Sequence, residues 1–214
     1  MLAYKDNYWK LLTRMLHKSL VQRFGKEGTK ALLQKADSVY RDMLSKVDDV
    51  GADNPMSSNI YQCFVFLALY KASEGKISVA DLRNITREFM GSPLMKLASL
   101  KRNLNKEKGV QDLSNLLHNN VAYLEEHPQY KDASWDFHFD ETLHKDGFYY
   151  HFTHCPLNDF ARRENMLEVL PVMCDIDFLT ARIMHSVLHR EQTLASGGTM
   201  CDYWFVGDKI KDPQ

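Results

Sequence analysis

Apolar residues recur at three- and four-residue intervals over the first 130 positions, and that spacing predicts helices. Leu12, Met15, Leu16 and Leu20 mark one amphipathic segment, with Gly25 as its stop. Leu32, Leu33, Ala36, Tyr40 and Leu44 mark a second, closed by the turn sequence GADNPMSS. From Ile60 to Tyr70 the chain is apolar almost all round, as in a helix buried on most sides. Ser78 reads as an N-cap with Asp81 three residues on, an acidic capping box opening a helix from Val79 to Met90 that ends at Gly91. Ser92-Pro93 opens another, carried by Leu94, Leu97, Leu100 and Leu104. Leu113, Leu116, Leu117 and Leu124 give one more.

After about residue 134 the period changes to two. Trp135, Phe137 and Phe139 alternate with Asp136, His138 and Asp140; Phe148, Tyr150 and Phe152 alternate with Tyr149, His151 and Thr153. Such alternation predicts strands with one apolar face, here joined by a Lys-Asp-Gly turn. Helices are expected from Pro156 to about Val169 and from Pro171 to about Ser186, then two closing strands in SVLHREQTLA and CDYWFV. The expected fold is α+β: a helical N-terminal half packed on a C-terminal antiparallel sheet of about four strands with two inserted helices. With no repeat or linker in view, residues 1–214 read as a single domain.

Composition leaves this picture standing. The 214 residues are 44% hydrophobic and 26% charged, with a formal net charge of -1. That suits one sizeable core and gives no general basic field for nucleic acid. No apolar run approaches the ~20 residues of a membrane helix. The opening MLAYKDNYWK lacks a signal-peptide layout, so the chain reads as cytoplasmic. A homo-oligomer is compatible with all of this.

Candidate chemistry concentrates late in the chain. Of four cysteines, Cys63 sits among apolar residues and reads as a core side chain. Cys155 directly precedes Pro156, hence at a helix start whose N–H groups favour a thiolate, with His151 and His154 nearby. Cys174 and Asp177 share a helix face, and His185 falls on the same stripe eleven residues on. Cys201, Tyr203 and Phe205 point to one strand face, Asp202 to the other. Gly197 and Gly198 permit a tight turn or close approach to a ligand. Packed cysteines and a plain glycine hairpin are the bland alternatives. His17, His118, His127 and His144 read as surface residues, and Lys101 to Lys108 as a solvated helical face.

Three elements in order, FTHCP from Phe152, PVMCDID from Pro171 and LASGGTMCDY from Leu194, resemble the L-2-amino-thiazoline-4-carboxylic acid hydrolase family. The last also looks like the Gly-Gly-x-x-Cys ending of vinyl-reductase-type ligand-binding domains. The first resemblance implies opening of a thiazoline ring, with departure of ring sulfur or nitrogen, to N-carbamoyl-L-cysteine. It implies catalytic roles for Cys155, Cys174, Asp177, Cys201 and His154, with Cys155 as nucleophile, and substrate contacts from Thr153, Gly197, Gly198 and Asp202. Asp177 or Asp202 would orient the amidinium. Alternatively the three cysteines would hold zinc and activate water, or form a non-catalytic ligand or metal site. His154 stands where the family pattern more often carries Arg, a departure that bears on carboxylate recognition.

Overall fold

The computed structural model describes residues 2–99 and 102–213. Helix α1 spans Asp6–Lys46 and is broken at Gly25, whose φ of 69° and ψ of 175° are not helical. A left-handed φ suits a residue without Cβ, which is why the stop expected there falls at Gly25. The two arms fold back on each other: Trp9 lies 5.2 Å from Tyr40, ring to ring. Helix α2 (Ser57–Ala72) packs against them and is buried along most of its length. Helix α3 (Val79–Met90) begins in the expected capping box, with Ser78 and Asp81 each accepting the other's backbone N–H. Phe89 of α3 meets Phe66 of α2 edge-on at 5.3 Å.

Helix α4 (Pro93–Ser99) is shorter than the leucine spacing predicts. Leu104 is buried beyond its end, and its N–H donates to the Met184 carbonyl, so the chain turns there to meet another element. Leu100 and Lys101 lie outside the described residues. The remainder of the charged stretch predicted as a helical face is a connection to α5 (Glu107–Glu126), helical only from Glu107.

The second half holds a four-stranded antiparallel sheet of order β1-β2-β4-β3: β1 His138–Phe139, β2 Phe148–Phe152, β3 Ser186–His189 and β4 Cys201–Gly207. Between β2 and β3 lie α6 (Pro156–Arg163) and α7 (Leu170–Ile183). α7 packs on β3 and on α3, while Phe160 of α6 meets Phe64 of α2 at 4.5 Å. One hydrophobic cluster runs from Leu2 through α2 to Phe205. The architecture is α+β, as the periodicities predict. Among the described residues no helix is long and apolar enough to cross a membrane.

Three boundaries differ from expectation, each for a local reason. β1 is two residues long because the Asp136 carboxylate, not a strand partner, accepts the N–H groups of Thr153 (2.8 Å) and His154 (2.6 Å). α6 stops at Arg163 because Asn165 turns left-handed, with φ 56°. β3 ends at His189 because the N–H groups of Glu191 and Gln192 bond to Asp202 rather than along a ladder. Two histidines read as surface residues have aromatic neighbours: His144 stacks on Trp204 at 3.7 Å and His118 on Phe139 at 4.0 Å.

Gly147, which closes the turn into β2, has φ 80°, and a Cβ there would lie 2.0 Å from the Phe205 carbonyl oxygen. Gly147→Ala combines left-handed strain with a backbone clash. It is expected to destabilise the fold by at least about 2 kcal/mol, read as a lower urea midpoint.

Candidate functional site

Pairing of β2 with β4 sets Phe152 opposite Cys201, Tyr150 opposite Tyr203 and Phe148 opposite Phe205. Because side chains alternate, all six face one side of the sheet, the side turned to the core, and Tyr150 stacks on Tyr203 at 4.9 Å. Cys201 is therefore buried on the inner face, and its sulfur accepts the Leu194 N–H at 3.2 Å. Asp202 lies on the opposite face beside His151, its carboxylate holding the Glu191 and Gln192 N–H groups at 2.9 and 2.8 Å. The expected division between these two residues is what the strand produces. The substrate contact implied for Asp202 has no support, since its oxygens are engaged in ending β3.

Cys155 is the N-cap of α6. The N–H groups of Leu157 and Asn158 and the Trp135 indole face its sulfur, and each favours the thiolate. Burial outweighs them and pushes the thiol up to about 12. The low thiol pKa expected from the helix start is thus not what the free protein has: three donors do not replace the water lost on burial. Burial likewise pushes the thiols of Cys63 and Cys174 up, and that of Cys201 to about 11.

Asp177, one turn along α7 from Cys174, takes two hydrogen bonds on Oδ2, from the Tyr203 hydroxyl (2.9 Å) and Arg190 Nη1 (3.1 Å). Arg190 also donates from Nη2 to the Cys174 carbonyl at 3.1 Å and lies 4.5 Å over the Phe178 ring. Its side chain is only 5% exposed, whereas that of Asp177 keeps 36% of its accessible surface. Burial raises the Asp177 carboxyl above its ordinary range, with Arg190 and Tyr203 opposing the rise. Asp177, Cys63, Cys155 and Cys174 combine strong desolvation with residual accessible surface, the combination expected of side chains that line a narrow recess. Cys155 lies within electrostatic range of Cys201, and Cys174 within range of both Cys155 and Cys201. Cys63, expected to be a core side chain, packs against the core and lies within electrostatic range of Cys155 and Asp177.

Other candidates serve the frame. The His154 ring is held at both nitrogens, by the Ser134 carbonyl at Nδ1 and by Asp159 at Nε2 (2.7 Å), so neither is free to take the Cys155 proton. Thr153 gives its N–H and hydroxyl to Asp136. His151 stacks on His138 on the outer sheet face, and His185 has left the α7 stripe, with φ 55° beyond the helix end. Gly197 adopts φ 86° to close a short 3-10 turn, Leu194–Ser196, and a Cβ on Gly198 would meet Gln192 and Thr193 of the same loop. Both glycines are thus required by the turn itself.

Among the described residues no group of three or more His, Cys, Asp or Glu is placed to hold a metal ion, so the three thiols do not fit the zinc arrangement. Open grooves of about 720 and 420 Å³ lie elsewhere, between the arms of α1, and carry no nucleophile of this set.

Arg190, Tyr203 and Trp135 are the partners that motif reading misses. Tyr203 carries a signal, its shared strand face with Cys201; Arg190 carries none beyond lying between two motifs.

The alkaline limb of stability should report these thiols. Each is held protonated in the fold above its ordinary value of 9.0. The unfolded chain therefore releases protons first: the stabilisation is full below pH 9 and is lost as pH rises through about 11 for Cys201 and 12 for Cys155. Buried Tyr150 and Tyr203 act in the same direction. Urea midpoints stepped from pH 8 to 11 should fall, and Cys201→Ser should flatten that fall; an unchanged slope would contradict the burial of this thiol.

Searches of curated proteins and of solved structures returned no match. A family model described as L-2-amino-thiazoline-4-carboxylic acid hydrolase matches residues 57–205, from the first residue of α2 into β4. That span is more than two thirds of the chain and contains Cys63, Cys155, Cys174, Asp177, Arg190, Cys201 and Tyr203: this chain belongs to the L-2-amino-thiazoline-4-carboxylic acid hydrolase family.

Proposed function

We propose that the protein is a hydrolase that opens a small cyclic amidine such as 2-amino-thiazoline-4-carboxylate to N-carbamoyl-cysteine. What supports this reading is the family match together with the electrostatic proximity of Cys174 to Cys155, Cys201, Asp177 and Arg190, and the hydrogen bonds that join Asp177 to Arg190 and Tyr203. In the named product both nitrogens remain on the carbonyl carbon, so the ring bond that breaks is carbon–sulfur. Cys155 attacks the amidine carbon, and its proton passes to the departing ring sulfur, which leaves as a thiol. The covalent adduct is an isothiourea. Water adds to its carbon, the Cys155 sulfur departs and regains a proton, and the urea carbonyl forms. One water is consumed, one C–S bond is broken and one C–O bond is formed.

The N–H groups of Leu157 and Asn158 and the Trp135 indole, facing the Cys155 sulfur, stabilise charge on it as it attacks and as it leaves. Asp177, held in place by Arg190 and Tyr203, accepts N–H from the amidinium. Incubating the purified protein with the thiazoline and following N-carbamoyl-cysteine by mass spectrometry tests this; no product above the buffer control would remove it. The raised thiols favour a second reading, a non-catalytic small-ligand module using the same recess. Saturable binding of the thiazoline without product would support that one.

A further inference from the structure

Charge in the recess is unevenly available. Among the described residues, Arg190 is the cation that acts on Cys174, Cys201, Asp177, Tyr150 and Tyr203. Its hydrogen bonds to Asp177, Tyr203 and the Cys174 carbonyl, its stacking on Phe178 and its 5% exposure leave no open edge for an incoming carboxylate. The bidentate recognition that makes arginine a carboxylate receptor is already committed inside the protein. Asp177 is placed the opposite way. Among the described residues both of its hydrogen bonds fall on Oδ2, the side chain keeps accessible surface, and Oδ1 remains as an acceptor. The other groups near Asp177 are the Cys63 and Cys174 thiols and the Tyr203 ring. An acceptor and soft sulfur beside an aromatic ring suit a flat, donor-rich cation.

We infer that this recess recognises the amidine end of its ligand as a planar cation and leaves the ring carboxylate outside, so that 2-amino-thiazolines lacking a carboxylate are ligands of the same site. The inference takes the location and the chemistry of the site from the hydrolase reading and adds the ligand class.

The physical consequence is an asymmetry between two analogues. Removing the carboxylate forfeits no buried contact. Removing the 2-amino group leaves Asp177 desolvated without its partner, the situation in which sites discriminate most strongly. Isothermal titration of the intact protein would use three probes: 2-amino-thiazoline-4-carboxylate, 2-amino-2-thiazoline and 2-thiazoline-4-carboxylate. The two amino compounds are expected to bind within about tenfold of each other, and the desamino acid at least about a hundredfold more weakly. Asp177→Asn keeps an acceptor for Arg190 and Tyr203 but removes the charge, and should weaken 2-amino-2-thiazoline by at least about tenfold.

The proposal is overturned if 2-amino-2-thiazoline binds more than about tenfold more weakly than its carboxylate, if the desamino acid binds as well as either, or if Asp177→Asn has no effect. A turnover assay run alongside separates the two readings. Binding of both amino compounds with no product supports the ligand class and removes the hydrolase. Turnover of the carboxylate with no binding of 2-amino-2-thiazoline supports the hydrolase and removes the ligand class.

Discussion

Arg190→Met is expected to lower the unfolding free energy by about 3 kcal/mol at pH 7, the low end of the range for breaking a buried ion pair because Asp177 keeps 36% of its side-chain surface. The change strands the Asp177 carboxylate, removes the donor to the Cys174 carbonyl and takes the guanidinium off the Phe178 ring. Two controls separate charge from packing. The double variant Arg190→Met with Asp177→Leu should recover most of the loss, since a buried pair replaced by apolar groups is often neutral. The single variant should also approach wild type in acid. Burial already raises the Asp177 carboxyl with Arg190 present, and removing the cation raises it further, so protonation relieves the stranded charge as pH falls. Urea denaturation at pH 7 and pH 4 measures both. A loss that persists unchanged at pH 4 and in the double variant would assign Arg190 a packing role alone.

Cys155→Ser is expected to reduce turnover of the thiazoline by at least about a thousandfold, because the proposed route requires a sulfur nucleophile and a hydroxyl in the same desolvated place is a far poorer one. The fold should tolerate the change, since Cys155 packs against the core without closing a disulfide. A melting temperature within a few degrees of wild type accompanying the loss is the expected result. Cys174→Ser and Cys201→Ser should each cost no more than about tenfold, as neither sulfur combines access to the recess with donors in the way Cys155 does. Retention of wild-type turnover by Cys155→Ser would transfer the nucleophile to water or to another thiol. The donors around Cys155 support its choice only as a place where negative charge is stabilised once formed; in the free protein the thiol is pushed up to about 12. Proton removal is thus part of the reaction. His154, bonded to Ser134 and Asp159, is not positioned to perform it.

The amino-acid order by itself determines most of the local structure. The capping box at Ser78, the break at Gly25 and the alternation in β2 and β4 follow from neighbours within four residues, where backbone sterics and side-chain period act directly. The same period places Cys201 with Tyr203 and away from Asp202. Tertiary structure decided what distance in sequence conceals. Asp136 shortened β1 by capturing two N–H groups 17 and 18 residues away, and Asp202 ended β3 in the same manner. Arg190 became the partner of Asp177 only when β3 folded against α7. The chemistry of Cys155 was decided there too. Its helix start is legible locally, but a thiol pKa balances donors against desolvation, and desolvation is set by every element packed around the sulfur.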